Sequence, residues 1–233
     1  MSIISNLLGD VLRIIVEFIH NYGLSIILFT IFVKVLLLPL TIKQTKSTKA
    51  MQDIQPKMKE IQEKYKTKPE KQQQEIMNLY KEAKINPLAG CLPLLIQMPI
   101  LFGLYAVLRD PVAYGVFADK AAFANADMVF LWVQNLTKPD YILAIVSGVT
   151  TFVMQMLMMP KDQQQGSMKI MTYVMSAMML YWGFMFPAGL TLYWTAGNLF
   201  SIAQHYLVMN PLRAKLANSK EEVIDESKPR NKK

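Results

Sequence analysis

The run from Tyr22 to Lys43, YGLSIILFTIFVKVLLLPLTIK, constrains this chain more than any other stretch. From Leu24 to Ile42 it is apolar except for Ser25, Thr30, Lys34 and Thr41. A helix of about nineteen residues rises about 28 Å, close to the roughly 30 Å of a hydrocarbon core. Lys34 falls near the middle, where a charge costs roughly 2.5–3.5 kcal/mol. Two arrangements lower that cost. The stem can snorkel toward the Lys43 end, about 13 Å away along the helix axis. Alternatively, the ammonium can face a water-filled recess inside the membrane.

Further apolar blocks run over roughly 88–108, 138–159, 170–186 and 188–209. With 52% hydrophobic residues and a mean hydropathy of +0.22, the chain is too apolar for an ordinary soluble domain of 233 residues. Five blocks imply a polytopic membrane protein with a single membrane domain. The net charge of +8 sets its orientation. Residues 43–86 carry eleven lysines against six acids, and 209–233 carry seven basic residues against four acids. Residues 109–140 carry three basic residues against four acids. The excess of Lys and Arg places 43–86 and the tail in the cytoplasm and 109–137 outside, so the N-terminus is outside. The inner loop 160–169, with Lys161 and Lys169, falls inside.

The expected order is an amphipathic interfacial helix on the outer face within 1–23, then transmembrane helix 1 at 24–42. A cytoplasmic helical hairpin follows at 43–87, and transmembrane helices 2–5 at 88–209, with the outer loop 109–137 between the second and third. A basic tail, 210–233, ends the chain. In the first segment Leu7, Leu8, Val11, Leu12, Ile15, Phe18 and Ile19 form one face, and Asp10, Arg13, Glu17 and His20 the other. Asn21-Tyr22-Gly23 then turns the chain into the first span. No secretory signal is read at 1–12, so either the N-terminus inserts uncleaved or a signal has been removed.

In the hairpin, Met51, Ile54, Met58, Ile61 and Tyr65 form a narrow apolar seam, continued by Ile76, Leu79, Tyr80 and Ala83. Pro56 predicts a kink or restart. Thr67 and Glu70 read as a capping box for the second helix. The lysines form either a solvated face near anionic lipid or a docking surface for an incoming chain. Pro93 and Pro99 predict a bent second span, with Gln97 at a depth similar to Lys34. FLWVQNL (130–136) reads as an interfacial stretch anchored by Trp132. Spans three and four are crowded with methionine, which suits either a surface for varied apolar partners or gap-filling between helices. In span five, Thr191, Thr195 and Asn198 share a face beside Trp194. That stripe is also what plain interhelical hydrogen bonding would need.

Much chemistry has no candidate. There is no Walker A loop, no GxGxxG and no His or Cys cluster with metal spacing. The single cysteine, Cys91, permits no internal disulfide. Apart from Asp140 at the outer edge of the 138–159 block, no carboxylate falls inside the five blocks, which argues against ion-coupled transport and leaves Lys34 without a counter-ion. No catalytic residue, metal or cofactor is therefore expected.

Three stretches carry a resemblance: TIFVKVLLLPLTIKQTKSTKAMQDIQPKMKEIQEKY, NPLAGCLPLLIQMPILFGLY and GLTLYWTAGNLFSIAQHYLV. Over roughly residues 5–210 the chain resembles the YidC/Oxa/Alb family of membrane protein insertases. It looks like the short bacterial form, without the large periplasmic domain of Gram-negative relatives and, with Cys91 its only cysteine, without the lipidated N-terminal cysteine of many Gram-positive ones. The resemblance implies five core transmembrane helices, a cytoplasmic hairpin, and a hydrophilic groove open to cytoplasm and lipid but closed outside. Lys34 takes the place of the family's groove arginine, keeping charge without the bidentate fork. Thr30, Tyr193 and Trp194 match client-contacting positions. Gln155 matches a polar groove position, and Gln97 belongs to the second-span motif. The implied activity is insertion and chaperoning of new membrane proteins, with no nucleotide hydrolysed. The implied setting is the bacterial cell membrane. The implied partners are nascent membrane proteins, the Sec translocase, anionic lipids and, weakly through tail and hairpin, the ribosome. No specific nucleic acid is expected. A passive channel or small-solute transporter, and a structural assembly factor, are the competing readings.

Overall fold

The computed structural model describes residues 2–83, 86, 92–158 and 167–209, and every regular element among them is a helix. Cys91, the 159–166 part of the inner loop, and the tail 210–233 lie outside the described residues. The helices are α1 (Ser2–Ile19), α2 (Tyr22–Leu36), α3 (Leu38–Asp53), α4 (Gln55–Lys64), α5 (Pro69–Glu82), α6 (Leu92–Arg109), α7 (Lys120–Asn125), α8 (Tyr141–Met158), α9 (Ser167–Gly183) and α10 (Ala188–Gln204). A π-helical turn, His205–Met209, follows α10. The chain divides into two units, Met1–Leu38 with Leu94–Ala203, and Pro39–Pro93 with Gln204–Lys233.

The first apolar run does not form one straight rod. It breaks at Leu37, whose N–H reaches back to the carbonyls of Val33 and Val35. Pro39 explains the break. It has no N–H, and its ring crowds the carbonyl four residues earlier, so the helix ends before it and restarts around it. Among the described residues no single helix is long and apolar enough to cross a membrane. Tyr22–Leu36 and Leu38–Gln44, taken as one bent span, pass that test, while Leu95–Arg109 and Tyr141–Leu157 are shorter apolar helices. α6 continues through Pro99.

In the first unit an apolar core around Ile26, Phe29, Leu104 and Leu136 is joined by many buried small polar residues, and many large apolar side chains are exposed. Buried positions include Ser25, Thr30, Ser147, Thr151, Thr172, Thr191, Thr195, Asn198 and Ser201. Exposed positions include Phe32, Val35 and Leu36 on α2, Ile142, Ile145, Val149 and Val153 on α8, and Ile170 and Val174 on α9. On α2, α8 and α9 small polar groups thus share the interior with the apolar core, while other apolar side chains face outward. The methionines described in α8 and α9 are half-buried or buried, as gap-filling between helices requires.

α1 has three faces rather than two. Ser5, Gly9 and Leu12 are buried, with Leu8, Ile15 and Val16 beside them. Asp10, Arg13 and Glu17 are polar and paired, with Arg13 reaching Asp10 at 3.7 Å and Glu17 at 4.0 Å. Ile3, Leu7, Ile14 and Phe18 form a separate exposed apolar stripe, Phe18 at 83% exposure. The apolar residues read as one face are thus divided between a packed side and an exposed side.

The turn after α1 falls one residue earlier than the sequence suggests. His20 takes the left-handed conformation at φ 58°, and Asn21 caps α2 by accepting from the Leu24 N–H at 2.9 Å. The Asn21 amide also donates to Asp127 Oδ2 at 2.7 Å and to the Val129 carbonyl at 3.2 Å, tying α2 to the 110–140 connection. Gly23 is needed for approach rather than for turning, since a Cβ there would meet the Phe130 ring at 2.5 Å. The connection is anchored in the core at a few points: Val116, Phe117, Val133 and Leu136 are buried in the same cluster as Tyr22 and Leu108, while the 118–122 stretch, Val129, Leu131 and Trp132 are exposed. Asp140 caps α8 through Leu143 N–H and accepts from the Trp132 indole at 3.2 Å.

α8 and α9 approach closely through small residues. A Cβ on Gly183 would lie 2.7 Å from the Ala144 Cβ and 2.8 Å from its Cα, and one on Gly148 would lie 3.1 Å from the Leu180 Cβ. Phe152 stacks on Tyr173 at 5.6 Å.

In the second unit, α4 and α5 pack through the expected seam. Tyr80 donates to Met58 Sδ at 3.4 Å, and the Gln72 amide donates to the Gln62 carbonyl at 2.8 Å. Pro56 marks the restart at α4. The capping box does not form. Lys68 occupies the cap with no side-chain hydrogen bond, because Pro69 favours the first helical position and forces the residue before it into an extended conformation. Lys64 and Lys71 flank the Tyr65 ring at 5.5 and 5.6 Å.

Two outcomes follow. Gly183→Ala drives a methyl into backbone atoms that cannot rotate away and should cost about 1–3 kcal/mol, read as a lowered thermal midpoint in detergent. Gly148→Ala, whose nearest contact is looser at 3.1 Å, should cost less, and equal effects would contradict this account of the α8–α9 contact. Asn21→Ala removes a cap and two ties at once and should lose about 1–2 kcal/mol, with faster hydrogen exchange in the first turn of α2.

Candidate functional site

The site begins at Lys34 on α2. Its stem does not run along α2 toward Lys43; it crosses to α10. The ammonium donates to Ser201 Oγ at 3.2 Å, and a Cβ on Gly197 would lie 3.2 Å from the Lys34 Cε. Ser201 in turn donates to the Gly197 carbonyl at 2.8 Å, so its oxygen is left to accept from the lysine. Among the described residues no carboxylate lies within ion-pair distance of Lys34. A half-buried ammonium is thus answered by a neutral hydroxyl alone among the described side chains.

One turn before Lys34, Thr30 is fully buried and donates to the carbonyl of Ile26 at 2.7 Å. Its methyl faces the same glycine, since a Cβ on Gly197 would lie 3.7 Å from Thr30 Cγ2. Thr30 therefore shapes the seat of Lys34, with its hydroxyl committed to its own helix.

A second polar cluster joins α8 to α10. Thr151 Oγ1 donates to the Ser147 carbonyl at 2.7 Å. It accepts from the Trp194 indole at 3.0 Å and from the Asn198 amide at 2.9 Å. Asn198 also donates to Thr150 Oγ1 at 3.3 Å. A hydroxyl has one hydrogen and two lone pairs, so Thr151 is saturated. Thr195 donates to the Thr191 carbonyl of its own helix at 2.8 Å. The stripe read on this helix is thus partly interhelical glue, through Asn198, and partly self-satisfied.

Tyr193 and Trp194 point to different neighbours, being consecutive on a helix. Trp194 is half-buried at the α8 side. Tyr193 is 2% exposed, packs near Phe29 at 6.4 Å between ring centres, and accepts from the Gln97 amide at 2.8 Å. Its ring is enclosed and its hydroxyl is held by Gln97. Gln97 is accordingly tied to α10. Gln155 lies one turn past Thr151 on α8, half-buried, and among the described residues no hydrogen bond joins it to the Thr151–Asn198 cluster.

Sequence reasoning missed Ser201, Gly197, Thr150 and Thr151. Ser201 follows Asn198 by three residues on α10, so extending the stripe one more turn would have found it. Gly197 carries no chemical signal of its own. Among the described residues no group of three or more His, Cys, Asp or Glu could hold a metal.

At the start of α10 the first N–H groups are taken by the connection, Ala188 by the Lys138 carbonyl and Gly189 by the Leu136 carbonyl, both at 2.8 Å. Phe186 packs on Tyr105 at 5.3 Å and Trp182 at 6.1 Å, so aromatic side chains gather at the end of α10 away from Ser201.

The chain is similar in sequence and fold to known proteins. Residues 14–215 match the model of the family described as 60Kd inner membrane protein. The chain is 46% identical over 210 residues to "Membrane protein insertase YidC" of Oceanobacillus iheyensis, covering 85% of this chain and 78% of that one. It is 48% identical over 198 residues to "Membrane protein insertase MisCA" of Bacillus subtilis, covering 82% of this chain and 71% of that one. A solved structure described as "Active YidC insertase crystal structure with the first transmembrane domain resolved" superposes with a TM-score of 0.68 at 29% identity. The match covers 89% of this chain and 46% of that longer one, so this chain spans just under half of it. An all-helical fold, a family model matched over most of the length and relatives above 40% identity agree, and this chain belongs to the 60Kd inner membrane protein family, alongside the membrane protein insertases named YidC and MisCA.

Proposed function

We propose that this chain is a membrane protein insertase and chaperone. It moves short hydrophilic segments of new membrane proteins across the bilayer through a groove whose positive group is Lys34. The observation that carries this reading is the unpaired ammonium. A lysine held by a single hydroxyl, on a helix whose exposed side chains are apolar, is costly unless it meets negative charge in use. Acidic residues in the translocating end of a client supply that charge transiently.

The sequence blocks support five spans, with the bent pair α2–α3 as the first and α6, α8, α9 and α10 as the rest. The lysine distribution supports an outside N-terminus and a cytoplasmic C-terminus. On this topology α1 lies on the outer surface with Ile3, Leu7, Ile14 and Phe18 in lipid and Asp10, Arg13 and Glu17 in water. The α4–α5 hairpin is cytoplasmic and basic; it receives the client and rests near anionic lipid. Sec translocase and, weakly, the ribosome are the accompanying partners. Trp194 is the aromatic group offered to the client, and Gln155 a polar contact near the groove. Tyr193 and Thr30 line the seat and require movement of α10 before a client touches them. No nucleotide is used. Apolar partitioning drives the step, with the membrane potential adding roughly 2.3 kcal/mol per charge per 100 mV.

Reconstituted alone in liposomes, the protein should protect a small single-span client with an acidic outer segment from external protease. Lys34→Ala should slow that insertion about tenfold or more, while Lys34→Arg keeps it, since charge is the requirement. Normal insertion of the acidic client by Lys34→Ala would end the electrostatic reading.

A further inference from the structure

Gly197 is an anomaly in α10. Glycine in a helix interior costs roughly 0.5–1 kcal/mol relative to alanine, so its presence there needs a reason. The reason lies across the helix interface. A Cβ at 197 would come within 3.2 Å of Lys34 Cε and 3.7 Å of Lys34 Nζ, tighter than a comfortable contact for the first of these. The lysine stem lies flat over the one residue that offers no side chain. One turn further on, Ser201 receives the ammonium at 3.2 Å. The serine hydrogen is already committed to the Gly197 carbonyl at 2.8 Å, which turns its lone pairs toward Nζ. Residues 197 and 201 are one helical turn apart and so share a face.

We propose that Gly197 and Ser201 are positioning residues for Lys34: the glycine is the floor on which the stem lies, and the serine is the acceptor that holds the ammonium against α10. Without them the long stem is released to sample its other rotamers, including those that carry the charge along α2 toward the Lys43 end. The proposal rests on the reading of Lys34 as the working charge of the groove, and it adds how this chain uses a lysine for that work. An ammonium on a flexible stem has no planar fork to orient it, so its direction must come from its surroundings. The seat supplies direction from one side only. An ammonium has three hydrogens and Ser201 accepts one, so the others remain for an acidic group on a client.

The test uses the full-length protein in liposomes with two readouts. The first is the rate at which a membrane-permeant acylating reagent modifies Lys34, followed by mass spectrometry. The second is protease protection of two clients that differ only in having or lacking acidic residues in the outer segment. Gly197→Val and Ser201→Ala should each raise Lys34 labelling and lower insertion of the acidic client, Ser201→Ala by about fivefold, the worth of one hydrogen bond. The neutral client should be unaffected. Ser201→Thr, which keeps the hydroxyl, should behave as the parent. Gly197→Ala is informative separately because it raises helix propensity, so any selective loss it shows is not a failure to fold. In a Lys34→Ala background neither Gly197→Val nor Ser201→Ala should reduce insertion further. Unchanged labelling in both variants, or equal losses for the two clients, would overturn the seat. Raised labelling together with normal acidic-client insertion by Lys34→Ala would support the seat and overturn the role of the charge, so the two failures read differently.

Discussion

A positive charge must be held inside a helix bundle where, among the described residues, no carboxylate lies within ion-pair distance, and much of the first unit is arranged around that requirement. The solution is to answer Lys34 with neutral oxygen and to make that oxygen available. Ser201, Thr30, Thr151 and Thr195 each spend their hydrogen on a carbonyl of their own helix. A hydroxyl so committed is an acceptor only, which is what an ammonium or an amide donor needs. The same device holds Trp194 and Asn198 at Thr151. Serine and threonine, weak helix formers in water, are thus well used here, because the helix satisfies them and leaves a lone pair for the neighbour.

How far this was legible in the sequence varies with the kind of signal. The described parts of the apolar blocks and of the basic 43–86 segment are helical, because hydropathy and period are local. The break at Leu37 was half legible: Pro39 announces it, but the helix gives way two residues earlier, where the missing donor and the ring first interfere. The cap at Lys68 shows the opposite failure. A capping-box pattern was present at Thr67 and Glu70, yet the restriction that Pro69 places on its predecessor overrode it. α1 shows a deeper limit. Leu7 and Leu8 are equally apolar, but Leu8 packs on the bundle and Leu7 is 63% exposed. Hydropathy cannot tell protein from lipid as an apolar neighbour.

The site divides in the same way. Lys34 stood out because one charge in an apolar run is unmistakable. Gln97 and Tyr193 were both named, and their hydrogen bond to each other was not, since partners 96 residues apart leave no local trace. Gly197 was invisible for a different reason. Its contribution is the absence of a side chain beneath another residue, and only the neighbour's position makes that absence meaningful.

The resemblance of this chain to a family whose groove residue is an arginine raises the question of what a lysine changes. An arginine presents several N–H groups in a fixed plane and can hold a carboxylate with two parallel bonds, which fixes both partners. A lysine presents a compact charge that grips less specifically. For a group that must attract a passing segment and then release it, weaker directional binding is no handicap, provided the charge stays where the segment passes. Here that proviso is met by the protein rather than by the side chain. The glycine floor and the serine acceptor give a flexible residue the fixed direction that a guanidinium would have in its own geometry. On that argument the side chain at 34 and the pair at 197 and 201 form one functional unit.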